Sequence, residues 1–185
     1  MLRPRALRHA GVTLAEMLVV AAVLALAARI AIPNASPLAN ARNDVATAEV
    51  LQAIRFAQRE AVRTGAWHTV KIDTSTQSLR VYRLTASGPE DTSLPVLHPV
   101  DKRPYNVAFA SGSTQATIAR AVFTYDGGAN TNLNTLSFGP DGTPALLTGS
   151  NDKDVKIMKA GTVTIRYGNV QRDLAIDTVT GRVSG

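Results

Sequence analysis

The sequence has no cysteine among its 185 residues. A disulfide framework, a cysteine-ligated zinc cluster and a thiol nucleophile are therefore excluded. Histidine is also rare, and His9, His68 and His98 have no Glu-x-x-His or cysteine partner at metal-ligand spacing. We therefore expect no metal site built on these histidines.

Sequence motifs of nucleotide and acyl chemistry are also missing. The chain has no Gly-x-Ser-x-Gly turn, no Walker loop and no dinucleotide fingerprint. The sequence thus predicts no catalytic residues of these classes and no cofactor. Asp152 and Asp154 could form part of a calcium loop, but Lys153 lies between them and the usual Gly and Glu positions are missing, so a polar turn is the default prediction.

The positive charge is unevenly distributed. The formal net charge is +6, and Arg3, Arg5 and Arg8 carry half of it within the first eleven residues. Residues 12–185 hold 17 basic and 14 acidic residues. The high isoelectric point is thus partly a property of the N-terminal segment, and it does not predict a general nucleic-acid-binding surface.

The most apolar stretch is residues 12–32, where Glu16 and Arg29 are the only charged residues. At about 1.5 Å per residue, a helix of this length reaches across the roughly 30 Å hydrocarbon core of a bilayer. Three arginines precede the stretch, so the positive-inside rule places the N terminus in the cytoplasm. We expect a single-pass transmembrane helix followed by a domain on the outer side.

Two general interpretations of this segment are available. A secretory signal would be cleaved near Ala25–Ala27, but the apolar core of such a signal should not contain an acid such as Glu16. A plain signal anchor would stay uncleaved, and it would tolerate Glu16 only as an interfacial residue. Either interpretation leaves a secreted or anchored β-rich binding domain.

Residues 11–17, Gly-Val-Thr-Leu-Ala-Glu-Met, resemble the prepilin peptidase motif of type IV pilins and type II secretion pseudopilins. The resemblance implies cleavage between Gly11 and Val12 by a prepilin peptidase, and N-methylation of Val12. Glu16 becomes the fifth residue of the processed chain, where the family has its acid. Pro33 lies where many members place a helix-breaking proline.

A carboxylate at Glu16 then has a physical explanation. A lone charge inside a bilayer costs several kcal/mol, and cleavage would create a second one on the Val12 amine. If subunits stack with an axial stagger, Glu16 of one subunit neutralises the Val12 amine of its neighbour. Breaking such a buried pair costs roughly 3–5 kcal/mol. We expect Glu16 to select the register between subunits.

The sequence divides into five segments. Residues 1–11 are the leader, residues 12–32 the transmembrane and assembly helix, and residues 33–38 a proline-containing junction, since Pro33 kinks or breaks a helix. Residues 39–64 predict an amphipathic helix with Val50, Ile54, Ala57, Ala61 and Val62 on its apolar face, ended by Gly65. Residues 65–185 form the periplasmic domain.

The segment after Gly65 changes to short β-branched runs separated by turn residues, a pattern typical of a meander or sandwich. Gly168-Asn169 predicts a tight hairpin, residues 138–142 another turn, and residues 86–104 a long irregular loop. The predicted fold class is α+β, with a long N-terminal helix packed on a C-terminal antiparallel β-sheet or sandwich domain, as in pilins. The predicted strands are WHTVKID, LRVYRL, YNVAFA, TIARAVFTY, NTLSFG, VKIM, TVTIRY, VQRDLAID and TGRV.

The order of these elements, with AIRFAQREAVRTG, LSFGPDGTP and the terminal DTVTGRV, is similar to the H-type minor pseudopilins and the FimT-like minor pilins. The resemblance implies a structural subunit, not an enzyme, at or near the tip of a fibre assembled from the bacterial inner membrane. Its implied partners are other pilin or pseudopilin subunits, the prepilin peptidase, the inner membrane and exported proteins. Membership of type II secretion or of a type IV pilus stays open at this point.

FimT-like competence pilins also carry a C-terminal Gly-Arg-x-Arg element that binds DNA. Here the tail reads Gly181-Arg182-Val183-Ser184, so the second arginine is missing. Few phosphates would be neutralised, which predicts weak, salt-sensitive DNA binding at best. Arg182 is the candidate DNA contact, and DNA is the disfavoured partner.

Overall fold

A computed structural model describes residues 13–31, 36–112, 114–127, 132–150 and 154–185. The chain divides into two units, Met1–Ala35 and Ser36–Gly185. The helices are α1 (Leu14–Ala31) and α2 (Ser36–Thr64). The strands are β1 (His68–Asp73), β2 (Ser78–Arg83), β3 (Asn106–Ala108), β4 (Thr117–Tyr125), β5 (Asn132–Leu133), β6 (Thr135–Phe138), β7 (Ala145–Leu147), β8 (Val155–Tyr167), β9 (Val170–Ile176) and β10 (Val183–Ser184).

Helix α1 presents apolar side chains on every face. All seven of its large apolar residues between positions 14 and 24 are exposed within this unit: Leu14, Met17, Leu18, Val19, Val20, Val23 and Leu24. A helix that is apolar all round requires a surrounding apolar environment or packing partners. By the combined criteria of length and apolar character, no helix among the described residues qualifies as a membrane span.

Helix α2 begins at Ser36, three residues before the predicted start. Pro37 lies in its first turn, where an N–H would have no intrahelical acceptor and the fixed φ of proline suits the helix. The helix ends at Thr64, and Gly65 follows with a φ of +64°. That left-handed conformation is the usual role of glycine just after a helix.

The core lies between α2 and two β-sheets. Val50, Ile54, Ala57 and Ala61 are fully buried, as their helical spacing predicts. Val62 is 56% exposed, so its predicted place on the apolar face is wrong, because the turn from position 61 to 62 carries it past the buried stripe. The largest buried side chains from the sheets include Phe123, Phe138, Ile165 and Leu174, and Tyr105 joins them from the residue before β3.

The first sheet has four strands in the order β3-β2-β1-β6. Neighbouring strands are antiparallel, with Val70 paired to Val81 on one side and to Leu136 on the other. All three of these residues are buried. Their cross-strand contacts form the floor of the core beneath α2.

The second sheet follows the order β10-β9-β8-β4-β5, and β7 also pairs with β8. The two runs predicted as separate strands, VKIM and TVTIRY, form the single strand β8. Gly168, with a φ of +58°, turns β8 into β9 as predicted. Together the helix and the two antiparallel sheets confirm the predicted α+β class with a pilin-like helix-on-sheet arrangement.

The two sheets are joined by side chains that pair with backbone edges. The amide of Gln77, from the β1–β2 turn, accepts from the Ile118 N–H at 2.8 Å and donates to the Ile118 carbonyl at 3.0 Å. In the reverse direction, the Tyr125 hydroxyl on β4 donates to the Thr135 carbonyl at 2.8 Å and accepts from the Ser137 N–H at 3.3 Å. Each sheet thus supplies one side chain that occupies an unpaired strand edge of the other.

Candidate assembly surfaces

The first candidate site is the start of α1, where Thr13 is the N-cap residue. The Glu16 N–H donates to the Thr13 hydroxyl at 3.2 Å, and the Met17 N–H donates to the Thr13 carbonyl at 3.2 Å. A Thr followed three residues later by Glu is the sequence pattern of a capping box. A negative charge in the first helical turn also interacts favourably with the helix dipole. The motif residues Thr13 and Glu16 therefore have a helix-starting role besides any role in assembly.

The remaining residues of the predicted processing site lie outside the described residues. These are Gly11 and Val12, where cleavage and methylation are predicted. Pro33, where a helix break is predicted, also lies outside the described residues. Glu16 is described, and its side chain is exposed. The pairing of Glu16 with the Val12 amine of another subunit stays a prediction.

The second candidate site lies at the C-terminal half of α2, where Gln58 connects two distant turns. Its Nε2 donates to the Gly142 carbonyl at 2.8 Å and to the Thr180 carbonyl at 2.7 Å. The sequence predicts the turn at residues 138–142 but not its meeting with the turn at residues 177–181. The signal in the sequence is the glycine in each turn, in residues 138–142 and 177–181. Their shared partner Gln58 could not be found from the sequence, because it depends on the tertiary fold.

Gly181 shows why the second turn needs glycine. Its φ is +67°, and a Cβ placed there would lie 2.6 Å from Cε1 of Phe138 and 3.2 Å from Nε2 of Gln58. Phe138 is fully buried, so its ring has little freedom to move aside. The backbone at Gly181 therefore approaches the core more closely than any side chain would allow.

Arg182 lies just after this close contact, in the turn before β10, and its side chain is exposed. Its carbonyl accepts from the Asp177 N–H at 2.8 Å, and the Arg182 guanidinium is one of the smaller causes that lower the Asp177 pKa. The turn thus places a carboxylate near the candidate DNA contact. DNA binding through Arg182 stays a prediction.

The acidic segment near residue 152 is only partly described. Asp152 lies outside the described residues, whereas the Asp154 carboxylate occupies the space that a Cβ on Gly149 would take. The Asp154 carbonyl accepts from the Thr148 N–H at 2.9 Å and from the Thr148 hydroxyl at 2.7 Å. Within the described parts of the chain, no three His, Asp or Glu side chains are arranged to hold a metal ion.

Four turns of the domain share one device, an aspartate that accepts from the N–H groups and hydroxyls of Ser or Thr residues just after it. Hydrogen bonds to the Ser75 hydroxyl and to the N–H groups of Ser75 and Thr76 lower the Asp73 pKa to about 2. Hydrogen bonds of the same kind lower the pKa of the other three carboxyls. These are Asp91 with Ser93, Asp141 with Thr143, and Asp177 with Thr180.

His68, at the start of β1, is 2% exposed. Burial lowers its pKa, against the opposing effects of the Ala66 carbonyl and of Glu60, while Arg83 and Arg63 lower it further. Its Nδ1 lies 3.0 Å from the Ala66 carbonyl, so the neutral ring carries its proton on Nδ1. His68 is therefore a neutral structural residue at neutral pH.

These features define a class of protein before they define a family. The chain is a pilin-like α+β protein, in which a helix packs on antiparallel sheets and a separate helix is apolar on every face. Residues 46–181, well over half of the chain, match the family model described as type II transport protein GspH. The chain belongs to this family and is a minor pseudopilin of type II secretion. This agrees with the first of the two predicted memberships.

Among solved structures, the chain is similar to the minor pseudopilin EpsH from the type 2 secretion system of Vibrio cholerae. The sequence identity is 16%, the TM-score is 0.48, and the match covers 77% of this chain and 94% of that chain. At this identity and TM-score the likeness supports no inference about function. No curated protein sequence matches the chain significantly.

Proposed function

We propose that the chain is cleaved after Gly11, methylated on Val12, and held in the bacterial inner membrane by residues 12–32 with its domain in the periplasm. In this location it is a structural, non-catalytic subunit at or near the tip of the pseudopilus. Other pseudopilin subunits, the prepilin peptidase and exported proteins are its partners. The observation that carries the proposal is α1, whose exposed apolar side chains on every face need the surroundings that a membrane or a helical bundle supplies.

Processing is tested by mass spectrometry of the protein purified from cells with an active prepilin peptidase. We expect an N terminus at Val12 that carries a methyl group, and an unprocessed N terminus at Met1 in cells without the peptidase. A secretory signal would instead give a start beyond Ala27. A chain that keeps its leader in the presence of the peptidase would overturn the proposal in favour of a simple tethered domain.

The role of Glu16 requires variants that separate helix capping from charge. Glu16→Gln keeps a side chain that is favourable in a capping box but removes the charge, whereas Thr13→Val removes the capping hydroxyl and keeps the charge. If Glu16 pairs with the Val12 amine of a neighbour, Glu16→Gln should lower incorporation into the fibre as much as Glu16→Ala does. Thr13→Ser, which keeps the capping hydroxyl and the charge of Glu16, should assemble normally. Assembly of Glu16→Gln at the wild-type level would assign Glu16 to capping alone.

A further inference from the structure

Residues 94–105 form a projecting loop that no role above accounts for. The segment folds back as a short hairpin, in which the His98 N–H donates to the Arg103 carbonyl at 2.8 Å and the Tyr105 N–H donates to the Val96 carbonyl at 2.9 Å. Tyr105 anchors its base, since the residue is 1% exposed and its ring lies 5.1 Å from Phe56 on α2. We call residues 96–105 the anchored hairpin.

The anchored hairpin and Leu94, two residues before it, expose large apolar side chains. Val100 at the tip is 78% exposed, Leu94 is 52% exposed and Leu97 is 44% exposed. The tip is held in shape by the Lys102 N–H, which donates to the His98 carbonyl at 3.1 Å. An exposed apolar cluster on an anchored segment is typical of an interaction site.

A groove of about 440 Å³ separates this loop from the C-terminal half of α2. The loop contributes Leu94, Leu97 and two prolines, whereas α2 and strands β1 and β2 contribute most of the polar lining. The polar lining residues are Glu60, Arg63, Thr64, His68, Arg83 and Lys102. The groove therefore offers aliphatic contacts and charged groups side by side.

The charge around the groove is positive and incompletely paired. Glu60 is already paired with Arg63, and the Asp101 carboxylate accepts from the Arg103 N–H at 3.1 Å. Arg83 forms an ion pair with Asp91, with its Nε 3.9 Å from Oδ2, but that Nε has no hydrogen-bond acceptor among the described residues. Within the same described part of the chain, the exposed Lys102 has no ion-pair partner. The ligand that complements this surface carries a carboxylate beside an aliphatic side chain.

We propose that the anchored hairpin and its groove bind a neighbouring subunit of the same fibre, through a segment in which an acidic residue lies next to an aliphatic one. The inference rests on the proposed function and adds to it the surface used. A protein segment fits better than a lipid surface, because the cationic and apolar groups line a concave groove that a flat bilayer cannot enter. The apolar contact supplies affinity, and the cations set orientation and on-rate.

The test uses the full chain in detergent, titrated with each of the other minor subunits of its secretion system, purified singly. We expect one of them to bind, and Val100→Ser combined with Leu97→Ser to raise its Kd by about tenfold or more. Ile157→Ser is the matched control, since Ile157 is 62% exposed on β8, and it should change Kd by less than about twofold.

The charge contribution is tested in the same titration. Lys102→Glu should raise Kd and flatten its dependence on salt, whereas Arg166→Glu, on the exposed face of β8, should do neither. Binding by no subunit, or equal Kd values for wild type and hairpin variants, overturns the inference. The inference is also overturned if the hairpin variants lose only self-association, or lose only binding to phosphatidylglycerol vesicles.

The two proposals fail in different ways. If Glu16 variants abolish fibre assembly while the hairpin variants bind every subunit normally, the proposed function stands and the docking surface is wrong. If the chain retains its leader and is absent from the fibre, the proposed function fails even where a purified subunit binds the hairpin.

Discussion

At the residue scale, replacing Gly181 should incur two separate free-energy costs, one from its left-handed backbone and one from its close contact with Phe138. Gly181→Ala should destabilise the domain by about 1–2 kcal/mol for a left-handed backbone and by a further 1–3 kcal/mol or so for overpacking against Phe138. Gly168→Ala should show only the first cost, because Gly168 has a φ of +58° and no atom lies within 4 Å of the position its Cβ would take. Urea unfolding of the two variants measures the difference, and equal losses would mean that Phe138 yields.

Gln58 gives a second residue-scale prediction. Its Nε2 donates to two carbonyls, so a carboxylate at the same place would face two acceptors without a proton to give. Gln58→Glu should lower the free energy of unfolding by more than about 2 kcal/mol at pH 7, and Gln58→Ala by about 1 kcal/mol.

Two comparisons make the Gln58 prediction specific. Gln52→Glu, at an exposed position of the same helix, should change stability by less than about 0.5 kcal/mol. The Gln58→Glu loss should shrink at low pH, where the new carboxyl becomes protonated and can donate to one carbonyl. A loss that is the same at pH 4 and pH 7 would indicate a packing effect instead.

At the element scale, side chains complete the edges of β4 and β6. Tyr125 is 2% exposed, and burial raises its pKa, so its hydroxyl remains a donor at all ordinary pH values. Tyr125→Phe leaves the Ser137 N–H and the Thr135 carbonyl without this partner and should cost about 1–3 kcal/mol. Tyr167→Phe, at a half-buried position on β8, is the control. Faster hydrogen exchange at the Ser137 amide in the Tyr125 variant alone would support the assignment, and unchanged exchange would contradict it.

The elements also show how much the sequence can predict. Strand β4 spans the predicted TIARAVFTY because alternation and β-branching agree there. The predicted split of β8 is wrong because Gly161 continues the strand, where it allows a close approach: atoms of Ile176 and Phe123 lie 3.1 Å from where its Cβ would be. Strands β5 and β7 have two and three residues, too few to show a period. The Gln58 contacts and the anchored hairpin depend on which distant turns meet, which local patterns do not specify.

At the scale of the whole molecule, acid stability combines His68 with the four turn aspartates. The folded-state pKa of His68 is lowered, so the stability it contributes is present above about pH 6.5 and is lost as the pH falls through the lowered value. The aspartates also have lowered pKa values, so their contribution is lost only below about pH 4, toward the pKa of about 2 at Asp73.

We therefore expect Tm to fall in two stages on acidification. His68→Gln should remove the upper stage and keep the lower one, whereas Asp73→Asn should weaken the lower stage alone. Thermal unfolding followed by circular dichroism between pH 7 and pH 2 distinguishes them. An upper stage that persists in His68→Gln would assign it to another group.

The short strands at the sheet edges affect how the domain can associate through its backbone. The outermost strands of the two sheets are β3 and β10 at one margin and β6 and β5 at the other, and none has more than four residues. Gln77 occupies the backbone groups of Ile118 on the edge of β4 beyond β5, and Tyr125 occupies two backbone groups of β6. Amyloid-like strand addition therefore finds only short templates at these four margins, whereas β10 leaves residues 170–174 of β9 uncovered on that side.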